Sequence, residues 1–262
     1  MNLVNILQHK IQQSSDENDI DIRIARYILE NFDNQKFTVQ QMAADNFTSN
    51  ATISRFFKEI GYDSFHDFQI AHKNFSIDRQ EVLADFQADS PRSLSMENTF
   101  IQTNFDVILD DLQQFENEIK ISEIDFLCNL IYSKKAIYLY ATGIPGSIAE
   151  ILQYNFLAVG KFTEYFPVIN DQIENASKLE KDDLAIFLSL EGSHVMTKKL
   201  TFAVTTSPAT SILITQNPSM KFSENFNHVI ALGSHSKAQS GKYKLLFFIE
   251  SLIHRYLVKF AN

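Results

Sequence analysis

The sequence has a single cysteine, Cys128, and no tryptophan among its 262 residues. One thiol cannot close an intramolecular disulfide or build a cysteine-based zinc site, so nothing indicates an oxidising compartment. The sequence also lacks an apolar run long enough to span a membrane, and its N-terminal segment lacks the apolar stretch of a secretory signal. These absences predict a cytoplasmic protein without a transmembrane helix.

Basic residues are scarce as well. Lys and Arg number 23 against 32 Asp and Glu, a formal net charge of −9, and residues 1–79 hold eight basic and eleven acidic residues. A protein that binds nucleic acid usually carries a positive patch, so any interaction with DNA must depend on the local geometry of a few side chains. The 23 phenylalanines are typical of core residues and indicate no function by themselves.

The pattern of residues 1–78 predicts an all-helical domain. Asp21 is expected to cap a helix whose apolar residues recur at helical spacing. Thr38 and Gln41 match a capping box, and the short helix that Thr38 opens is expected to end near Asn46, which tolerates the left-handed backbone of a tight turn. The apolar residues of the first helix are Ile24, Ile28 and Phe32.

A third helix is predicted from Asn50 to Ile60, with Ser49 as its N-cap and Gly61 as the C′ glycine that ends it. The residues of this helix expected to face the core are Ile53, Phe56, Phe57 and Ile60. A fourth helix is predicted to start at Ser64. Its expected apolar members are Phe65, Phe68 and Ile70.

Two short helices joined by a tight turn, the second capped by serine, are typical of a helix-turn-helix that reads DNA. The second helix buries one face and offers the other to the major groove, where Asn can bond adenine, Arg can bond guanine, and Ser or Thr can reach bases and phosphates. The candidate DNA-binding residues are Ser49, Asn50, Thr52, Ser54, Arg55 and Lys58. A small helical bundle without a nucleic-acid partner, such as a dimerisation module, is the alternative that this pattern leaves open.

Residues 79–100 contain a small, polar, proline-interrupted segment and are predicted to be a linker. Helical periodicity resumes at Glu97, and within residues 101–262 short apolar runs then alternate with helical stretches. Strands that are buried on both faces and alternate with helices predict a three-layer α/β domain with a parallel sheet. The predicted strands are 136–141, 162–166, 184–188, 211–215 and 228–232, and a long helix is predicted from Ala238.

Two strand-to-helix loops of this sheet carry glycine and hydroxyl residues. In a parallel α/β sheet ligands bind at the carboxyl ends of the strands, where helix N-terminal N–H groups and hydroxyls form a cradle for a phosphate. The candidate ligand-binding residues are Gly143, Gly146 and Ser147 in the first loop, and Ser189, Glu191, Gly192, Ser193 and His194 in the second. Neither loop has nucleotide-binding spacing. Ordinary turns, in which Gly and Ser are common, remain the alternative.

The stretch Thr38–Gln69 resembles the N-terminal domain of the RpiR/MurR family of bacterial transcription regulators. The similarity is densest in three segments: Thr48–Phe56, Gly61-Tyr62 and Phe65–Phe68. Residues from about Glu97 to Phe260 resemble, more loosely, the sugar isomerase (SIS) domain that follows in this family. The resemblance implies that Asn50–Ile60 is the recognition helix of a regulator. It also implies two partners: an operator in double-stranded DNA and a phosphorylated sugar or similar effector. Because two half-sites double the sequence that is read and fit a symmetric dimer, we also expect further copies of the chain in a homodimer or homotetramer.

Both candidate loops depart from the family's pattern. The family's first loop often reads Gly-x-Gly-x-Ser, whereas this chain has Pro145 at the middle glycine. The second loop is typically Ser-x-Ser-Gly-x-Thr, and here Glu191 and His194 replace two hydroxyl residues. A carboxylate repels a phosphate at close range, so we expect weak binding of a phosphosugar, binding of a less anionic ligand, or no ligand at all.

A sugar-phosphate isomerase needs a base that moves a proton beside a carbonyl. The candidates are Glu150, Glu191, His194, His235 and Glu250, and no spacing singles out an acid–base pair among them. The seven histidines form no metal-binding pattern and no serine has a nucleophile-elbow sequence, so neither catalysis nor a cofactor or metal is expected. Two alternatives stay open: an SIS-type isomerase with an accessory helical domain, and an interaction module without DNA binding, which the acidic balance of residues 1–79 favours.

Overall fold

The computed structural model describes residues 3–12, 16, 19–34, 36–73, 97–190, 195–233 and 238–260. Over these residues no helix is both long and apolar enough to cross a membrane. The chain divides into two compact units, Met1–Ala84 and Asp85–Asn262. The first unit encloses one hydrophobic core and the second unit encloses two.

The described part of the first unit consists of helices α1 (Leu3–Gln12), α2 (Ile20–Glu30), α3 (Val39–Asp45), α4 (Asn50–Glu59) and α5 (65–73). Their apolar faces enclose a core in which the rings of Phe57 and Phe68 lie 4.3 Å apart between centroids. The four core positions predicted for α4 are all buried: Ile53, Phe56, Phe57 and Ile60. Ile70, one of the apolar residues of α5, is 44% exposed. Two residues after the buried Phe68, it lies on the opposite side of α5.

The start of α3 follows the predicted cap in part. The Thr38 hydroxyl oxygen accepts a hydrogen bond from the Gln41 N–H (3.1 Å), which confirms Thr38 as the N-cap. The side-chain amide of Gln41 does not reach back to close a capping box, because it donates to Asp45 Oδ1 (2.7 Å) one turn further along the helix. One of the two predicted contacts therefore forms.

Helix α2 is capped by Asp19 rather than by the predicted Asp21. The carboxylate of Asp19 accepts a hydrogen bond from the Asp21 N–H (2.9 Å), and the helix begins at Ile20, which packs against the core. The Asp21 carboxylate instead lies 3.2 Å from Lys10 Nζ on α1. Asp21 therefore serves an ion pair within the first turn of the helix.

The second unit alternates helices and strands: α6 (Glu97–Glu118), α7 (Ile121–Ser133), β1 (Ile137–Ala141), α8 (Ile144–Ala158), β2 (Thr163–Tyr165), α9 (Ile169–Ala176), β3 (Leu184–Ser189), α10 (Val195–Thr206), β4 (Thr210–Thr215), a 3₁₀ turn (Ser223–Asn225), β5 (His228–Ala231) and α11 (Ala238–Phe260). All strands pair in parallel, in the order β2-β1-β3-β4-β5. The predicted strands and parallel sheet are confirmed, whereas α9 was not predicted. Helix α6 starts inside the predicted linker, whose residues 79–96 lie outside the described part.

The sheet separates two cores, because successive residues of a strand point to opposite faces. In β3, Ile186 and Leu188 belong to one core and Ala185 and Phe187 to the other. Helices α6, α7, α8 and α11 close the first core, and α9 and α10 close the second. Every residue of β3 is buried, which explains its unbroken apolar run and confirms a three-layer α/β fold.

Helices α6 and α11 share a buried ion pair. The Lys244 side chain is 0% exposed, and its Nζ lies 3.0 Å from Asp111 Oδ1. Two buried charges compensate each other only while both are present. In the core between the sheet and α11, the Cys128 thiol donates to the Leu252 carbonyl oxygen (3.6 Å), and burial raises the pKa of this thiol to about 11. Cys128 is therefore a core residue.

Candidate DNA-binding surface and ligand site

The turn between α3 and α4 is built by a Schellman motif. The Thr48 N–H donates to the Ala43 carbonyl oxygen (2.8 Å), and the Phe47 N–H donates to that of Ala44 (3.1 Å). The residue with a left-handed backbone is Phe47, with φ of 51°, and not Asn46 as predicted. These two bonds satisfy carbonyl groups at the end of α3 and fix the direction in which the chain enters α4.

Asn46 has another role in the same turn. Its side chain is buried, and the amide donates to the Met42 carbonyl oxygen (2.8 Å). Its own carbonyl oxygen accepts a hydrogen bond from Arg23 Nη2 (3.1 Å) on α2. These contacts hold Asn46 at φ −98° as the C-cap of α3, so the reversal of the chain falls one residue later.

Ser49 begins α4 as predicted. Its hydroxyl oxygen accepts a hydrogen bond from the Thr52 N–H (3.1 Å), and the two hydroxyls lie 2.9 Å apart. At the other end of the helix, Gly61 has φ of 92°, and the Tyr62 N–H donates to the Phe57 carbonyl oxygen (2.9 Å) in a second Schellman motif. Both ends of α4 are therefore fixed by hydrogen bonds between near neighbours in the sequence.

The outward face of α4 holds the predicted set of polar residues. Ser49, Asn50, Ser54, Arg55 and Lys58 are exposed and Thr52 is half-buried. The Ser54 hydroxyl donates to the Asn50 carbonyl oxygen (3.0 Å) within the helix, while the Arg55 side chain is 64% exposed. The side chains that would reach a partner and those that fill the core thus lie on opposite faces of one helix.

The acidic residue of this helix is neutralised by its neighbours. The Glu59 carboxylate lies 3.4 Å from Lys10 Nζ and 3.4 Å from Arg55 Nε. In the turn before α4, the Tyr27 hydroxyl and the Gln41 amide donate to Asp45 and hold the pKa of its carboxyl below its usual range. The ion pairs of Glu59 therefore offset a negative charge on α4, whereas the hydrogen bonds to Asp45 stabilise the charged form of its carboxylate.

The two candidate ligand loops begin side by side. Ala141 at the end of β1 is in register with Leu188 of β3, so Thr142 and Ser189 follow at neighbouring positions of the sheet. The helix after β1 packs on one face of the sheet and the helix after β3 on the other. Connections that leave adjacent strands towards opposite faces open a crevice between them, which is the usual ligand position in such sheets.

The two glycines of the first loop each have a structural reason to be glycine. Gly143 is the N-cap of α8 with φ of 66°, so its conformation favours glycine. A Cβ atom on Gly146 would lie 2.6 Å from the Tyr165 hydroxyl, so this glycine makes room for a side chain of β2. Ser147 is exposed in the first turn of α8, within the helix and not in the loop.

Pro145 also changes the start of α8. Proline fits this position because the first N–H groups of a helix have no partner within the helix. It provides no donor, and the Gly146 N–H donates to the Gly143 carbonyl oxygen (3.0 Å). The helix start therefore offers an anion fewer N–H groups than the glycine-rich pattern predicted.

The second loop is described only at its beginning. Ser189 is the last residue of β3 and is 7% exposed, so it belongs to the strand and not to the loop as predicted. The following Leu190 carbonyl oxygen accepts hydrogen bonds from the Thr215 hydroxyl (3.2 Å) and the Asn217 N–H (3.1 Å). Four predicted ligand-binding residues and one candidate base lie outside the described residues: Glu191, Gly192, Ser193, His194 and His235.

Gln172 of α9 is a residue that sequence reasoning missed. Its fully buried side chain accepts a hydrogen bond from the Ala141 N–H (3.0 Å) and donates one to the Ala141 carbonyl oxygen (2.9 Å). Strand β2 ends at Tyr165, opposite Leu139, so no strand backbone flanks Ala141 on that side and the amide takes its place. Burial raises the pKa of Tyr165, whose hydroxyl also donates to the Ala141 carbonyl oxygen (3.4 Å). The start of the first loop is thus held by side chains from two distant segments.

The remaining candidate bases do not converge. Glu150 and Glu250 are exposed on α8 and α11. Among the described residues, no group of three or more His, Cys, Asp and Glu side chains is placed to hold a metal ion.

Two family models match the chain. A model described as "Helix-turn-helix domain, rpiR family" matches residues 1–75, and the SIS domain model matches residues 130–255. The rpiR model covers only the N-terminal part of the chain, and the SIS model covers most of the remainder. The chain therefore combines the rpiR helix-turn-helix with an SIS domain, as the sequence predicted.

The curated relatives of this chain are distant. An uncharacterised HTH-type transcriptional regulator of Providencia stuartii is 22% identical over 172 residues, which cover 65% of this chain and 60% of that protein. RpiR of Escherichia coli K12 is 20% identical over 146 residues, 55% of this chain and 47% of that protein. The chain thus matches about three fifths or less of the length of these relatives.

Solved structures share the fold. The Vibrio vulnificus NanR protein complexed with ManNAc-6P aligns with a TM-score of 0.55 at 19% identity and covers 99% of this chain and 93% of its own. The sugar isomerase domain of an RpiR transcription factor from Sphaerobacter thermophilus aligns with a TM-score of 0.52 at 16% identity and covers 62% of this chain and 91% of its own. At this level of identity the likeness shows the fold of the chain and not its ligand.

Proposed function

We propose that this protein is a DNA-binding transcription regulator whose affinity for its operator changes when a sugar phosphate or a related small metabolite binds. The observation that carries the proposal is the construction of α4, a helix fixed at both ends with one apolar and one polar face. Residues 1–78 would bind the operator, and residues 101–262 would bind the effector and further copies of the chain. Because such a regulator acts on the chromosome, we expect it in the cytoplasm.

The polar face of α4 supplies the contacts to the operator. Asn50 and Arg55 would read base edges, and Lys58 would contact a phosphate. Ser49, Thr52 and Ser54 already bond within α4, so we expect them to add contacts to the backbone of the DNA rather than to bases. The pairing of Glu59 with Lys10 and Arg55 removes a repulsive charge beside this face.

The test is selection of genomic DNA fragments by the purified full chain, followed by fluorescence anisotropy on the selected operator at several salt concentrations. Six phosphate contacts would give a log–log slope of roughly −5 because bound cations are released from the DNA. No selected sequence, or a slope near zero, would contradict DNA binding and favour an interaction module instead.

The effector site is proposed at the crevice beyond β1 and β3. The site would consist of Gly143, Gly146, Ser147, Ser189, Glu191, Gly192, Ser193 and His194. The register of the two strands supports the position, and the NanR structure of the same fold in complex with ManNAc-6P supports the ligand class. Pro145 has no N–H, and the Gly146 N–H already donates to the Gly143 carbonyl oxygen, so the start of α8 offers an anion fewer donors. We therefore expect Ser189 to contribute more to the affinity for the effector than the start of α8.

Calorimetry with a panel of hexose and pentose phosphates tests this site. Ser189→Ala should weaken binding about tenfold, because a hydrogen bond to a charged acceptor is lost. Glu191→Ser should strengthen it by relieving repulsion. If neither variant changes the affinity for any sugar phosphate, the ligand class is wrong, while DNA binding is unaffected by that result.

A homo-oligomer is proposed because two half-sites double the sequence that is read. Helix α6 supports it with an exposed apolar stripe at four-residue spacing: Ile101, Phe105 and Leu109, which are 76%, 59% and 40% exposed. Light scattering should show at least a dimer. Phe105→Glu should shift the equilibrium between oligomer and monomer towards the monomer. Gln102→Glu, which changes an exposed polar residue of the same helix, is the control and should leave the oligomer intact.

An isomerase is the second candidate. A protein from Methanococcus jannaschii, whose structure was taken to infer 3-hexulose-6-phosphate isomerase function, aligns with a TM-score of 0.51 at 16% identity. The exposed positions of Glu150 and Glu250 give this candidate little support. Turnover of sugar phosphates by the purified chain, lost in Glu191→Gln, would favour the enzyme over the regulator.

A further inference from the structure

Phe47 is the most exposed large apolar side chain of the described residues, at 90% exposure. It lies in the turn between α3 and α4, two residues before the N-cap Ser49. Other large exposed side chains of the first unit are far less open, as Ile70 is 44% exposed. A phenyl ring in this position adds almost nothing to the core of the unit.

The backbone of Phe47 makes its presence more unusual. Its φ of 51° lies in the left-handed region, which a bulky side chain adopts only at a cost in free energy. The same Schellman turn at the end of α4 uses Gly61, which adopts the conformation freely. The turn itself is therefore served better by glycine, and neither packing nor backbone geometry accounts for phenylalanine.

The location of the ring offers an explanation. In helix-turn-helix proteins the N-terminal residues of the second helix contact base edges, so the turn that delivers Asn50 to the groove lies close to the DNA. An apolar side chain reads the 5-methyl group of thymine, the one apolar group on the floor of the major groove. Such a contact adds affinity and specificity without positive charge, which suits a segment with eight basic and eleven acidic residues over 1–79.

We propose that Phe47 is a specificity residue whose ring packs on the 5-methyl group of a thymine at the edge of each operator half-site. This inference rests on the proposed function, because it requires that α4 lies in the major groove. The partner is double-stranded DNA. A protein surface that covers the same ring, including a second copy of the chain, is an outcome of the test that would overturn the proposal.

The experiment removes the methyl group alone. In the selected operator each thymine is replaced in turn by deoxyuridine, and the affinity of the full chain is measured by fluorescence anisotropy. For the wild-type chain we expect one position per half-site at which the substitution weakens binding about fourfold, the factor that corresponds to one buried methyl group. For Phe47→Gly the same substitution should change affinity by less than about twofold, because the contact is already absent.

Phe47→Gly suits this test because glycine is favoured at that φ, so loss of folding does not obscure the result. The control for loss of an exposed apolar side chain is Ile70→Ala, because glycine at position 70 would destabilise the helix. This variant should retain the effect of deoxyuridine. Equal deoxyuridine profiles for the wild type and Phe47→Gly would overturn the role of Phe47 while leaving the proposed function intact. Selection of no operator by the wild type would overturn both. A changed oligomeric state of Phe47→Gly with an unchanged profile would identify a protein contact instead.

Discussion

The two units of this protein build their candidate sites in different ways. Around α4, the hydrogen bonds that cap both ends of the helix join near neighbours in the sequence, such as Ser49 with Thr52. In the second unit, the first loop is held by Gln172, which lies 31 residues beyond the Ala141 backbone that it bonds. A surface that is fixed by local contacts can be predicted from the sequence. A crevice that is fixed by long-range contacts cannot, because those contacts form only in the assembled fold.

This difference has a consequence for stability as well. Local capping contacts contribute about 1 kcal/mol each, and each can be lost without disturbing the others. The long-range polar contacts of Gln172 and of Lys244 in the second unit are buried, so removal of one partner leaves another buried group without its bond. Substitutions of the long-range contacts should therefore cost more free energy of unfolding than substitutions of the turns.

The largest effect is expected at the buried pair of Lys244 and Asp111. Lys244→Met should lower the free energy of unfolding by about 3–5 kcal/mol, because the Asp111 carboxylate would stay buried opposite an apolar side chain. Denaturant unfolding of the full chain measures it. The exposed pair of Lys178 and Glu174 is the matched control, and Lys178→Met should cost less than about 1 kcal/mol. Equal costs at the two pairs would contradict the comparison.

A smaller loss is expected for Gln172→Ala. The substitution deprives the Ala141 N–H and carbonyl groups of the side-chain amide, which should cost about 2–4 kcal/mol. Affinity for the effector should fall with it, since the first loop begins at the next residue. The control is Gln153→Ala on α8, which removes a single bond to the Thr163 carbonyl oxygen and should cost about 1 kcal/mol. Unchanged stability of Gln172→Ala would show that the amide does not hold the loop.

The sequence predicted the first site more fully than the second for the reasons that these contacts show. Ser49, Thr38 and Gly61 act through bonds to residues within five positions, so their roles followed from local patterns. The continuous apolar runs of the strands predicted the parallel sheet, because a strand that is buried on both faces has no alternation of polar and apolar residues. Gln172 gave no signal, since its role depends on where β2 ends. The need for glycine beside Tyr165 gave none either, because Tyr165 lies 19 positions beyond Gly146 in the chain.

The two turns that flank α4 have the same geometry but carry different residues at the left-handed position, Phe47 in one and Gly61 in the other. Phe47→Gly should raise the free energy of unfolding of the first unit by about 1 kcal/mol, because the left-handed conformation disfavours a phenylalanine. Gly61→Ala should lower it by a similar amount for the same reason. Opposite signs at equivalent positions are the expected result, and a loss at both would indicate that the Phe47 ring stabilises the fold.

The smallest effect is a dependence on pH in the first unit. Burial lowers the pKa of His72, which lies among the rings of Phe32, Phe37 and Phe68 and whose Nε2 lies 2.9 Å from the Phe32 carbonyl oxygen. The unfolded chain binds the proton more readily, so stability is complete above the unfolded pKa of about 6.5 and declines as the pH falls through the folded pKa.

Thermal unfolding of the full chain between pH 5 and 8 measures this decline, and two histidine variants assign it. His72→Gln should flatten the pH dependence, whereas His66→Gln, which changes an exposed histidine of the same helix, should preserve it. If the stability of His72→Gln depends on pH as steeply as that of the wild type, groups other than His72 cause the pH dependence.

The central claim is that the outward face of α4 reads the operator, and the most direct measurement is the affinity of Arg55→Ala for the selected operator. Arg55 is 64% exposed, so its loss should leave the fold unchanged and weaken specific binding by about 1–3 kcal/mol, the value of one good base contact. Lys73→Ala, which removes an exposed positive charge from α5 of the same unit, is the matched control and should weaken binding only slightly. If a folded Arg55→Ala binds the operator as tightly as the wild type, or loses no more than Lys73→Ala, α4 is not the reading helix.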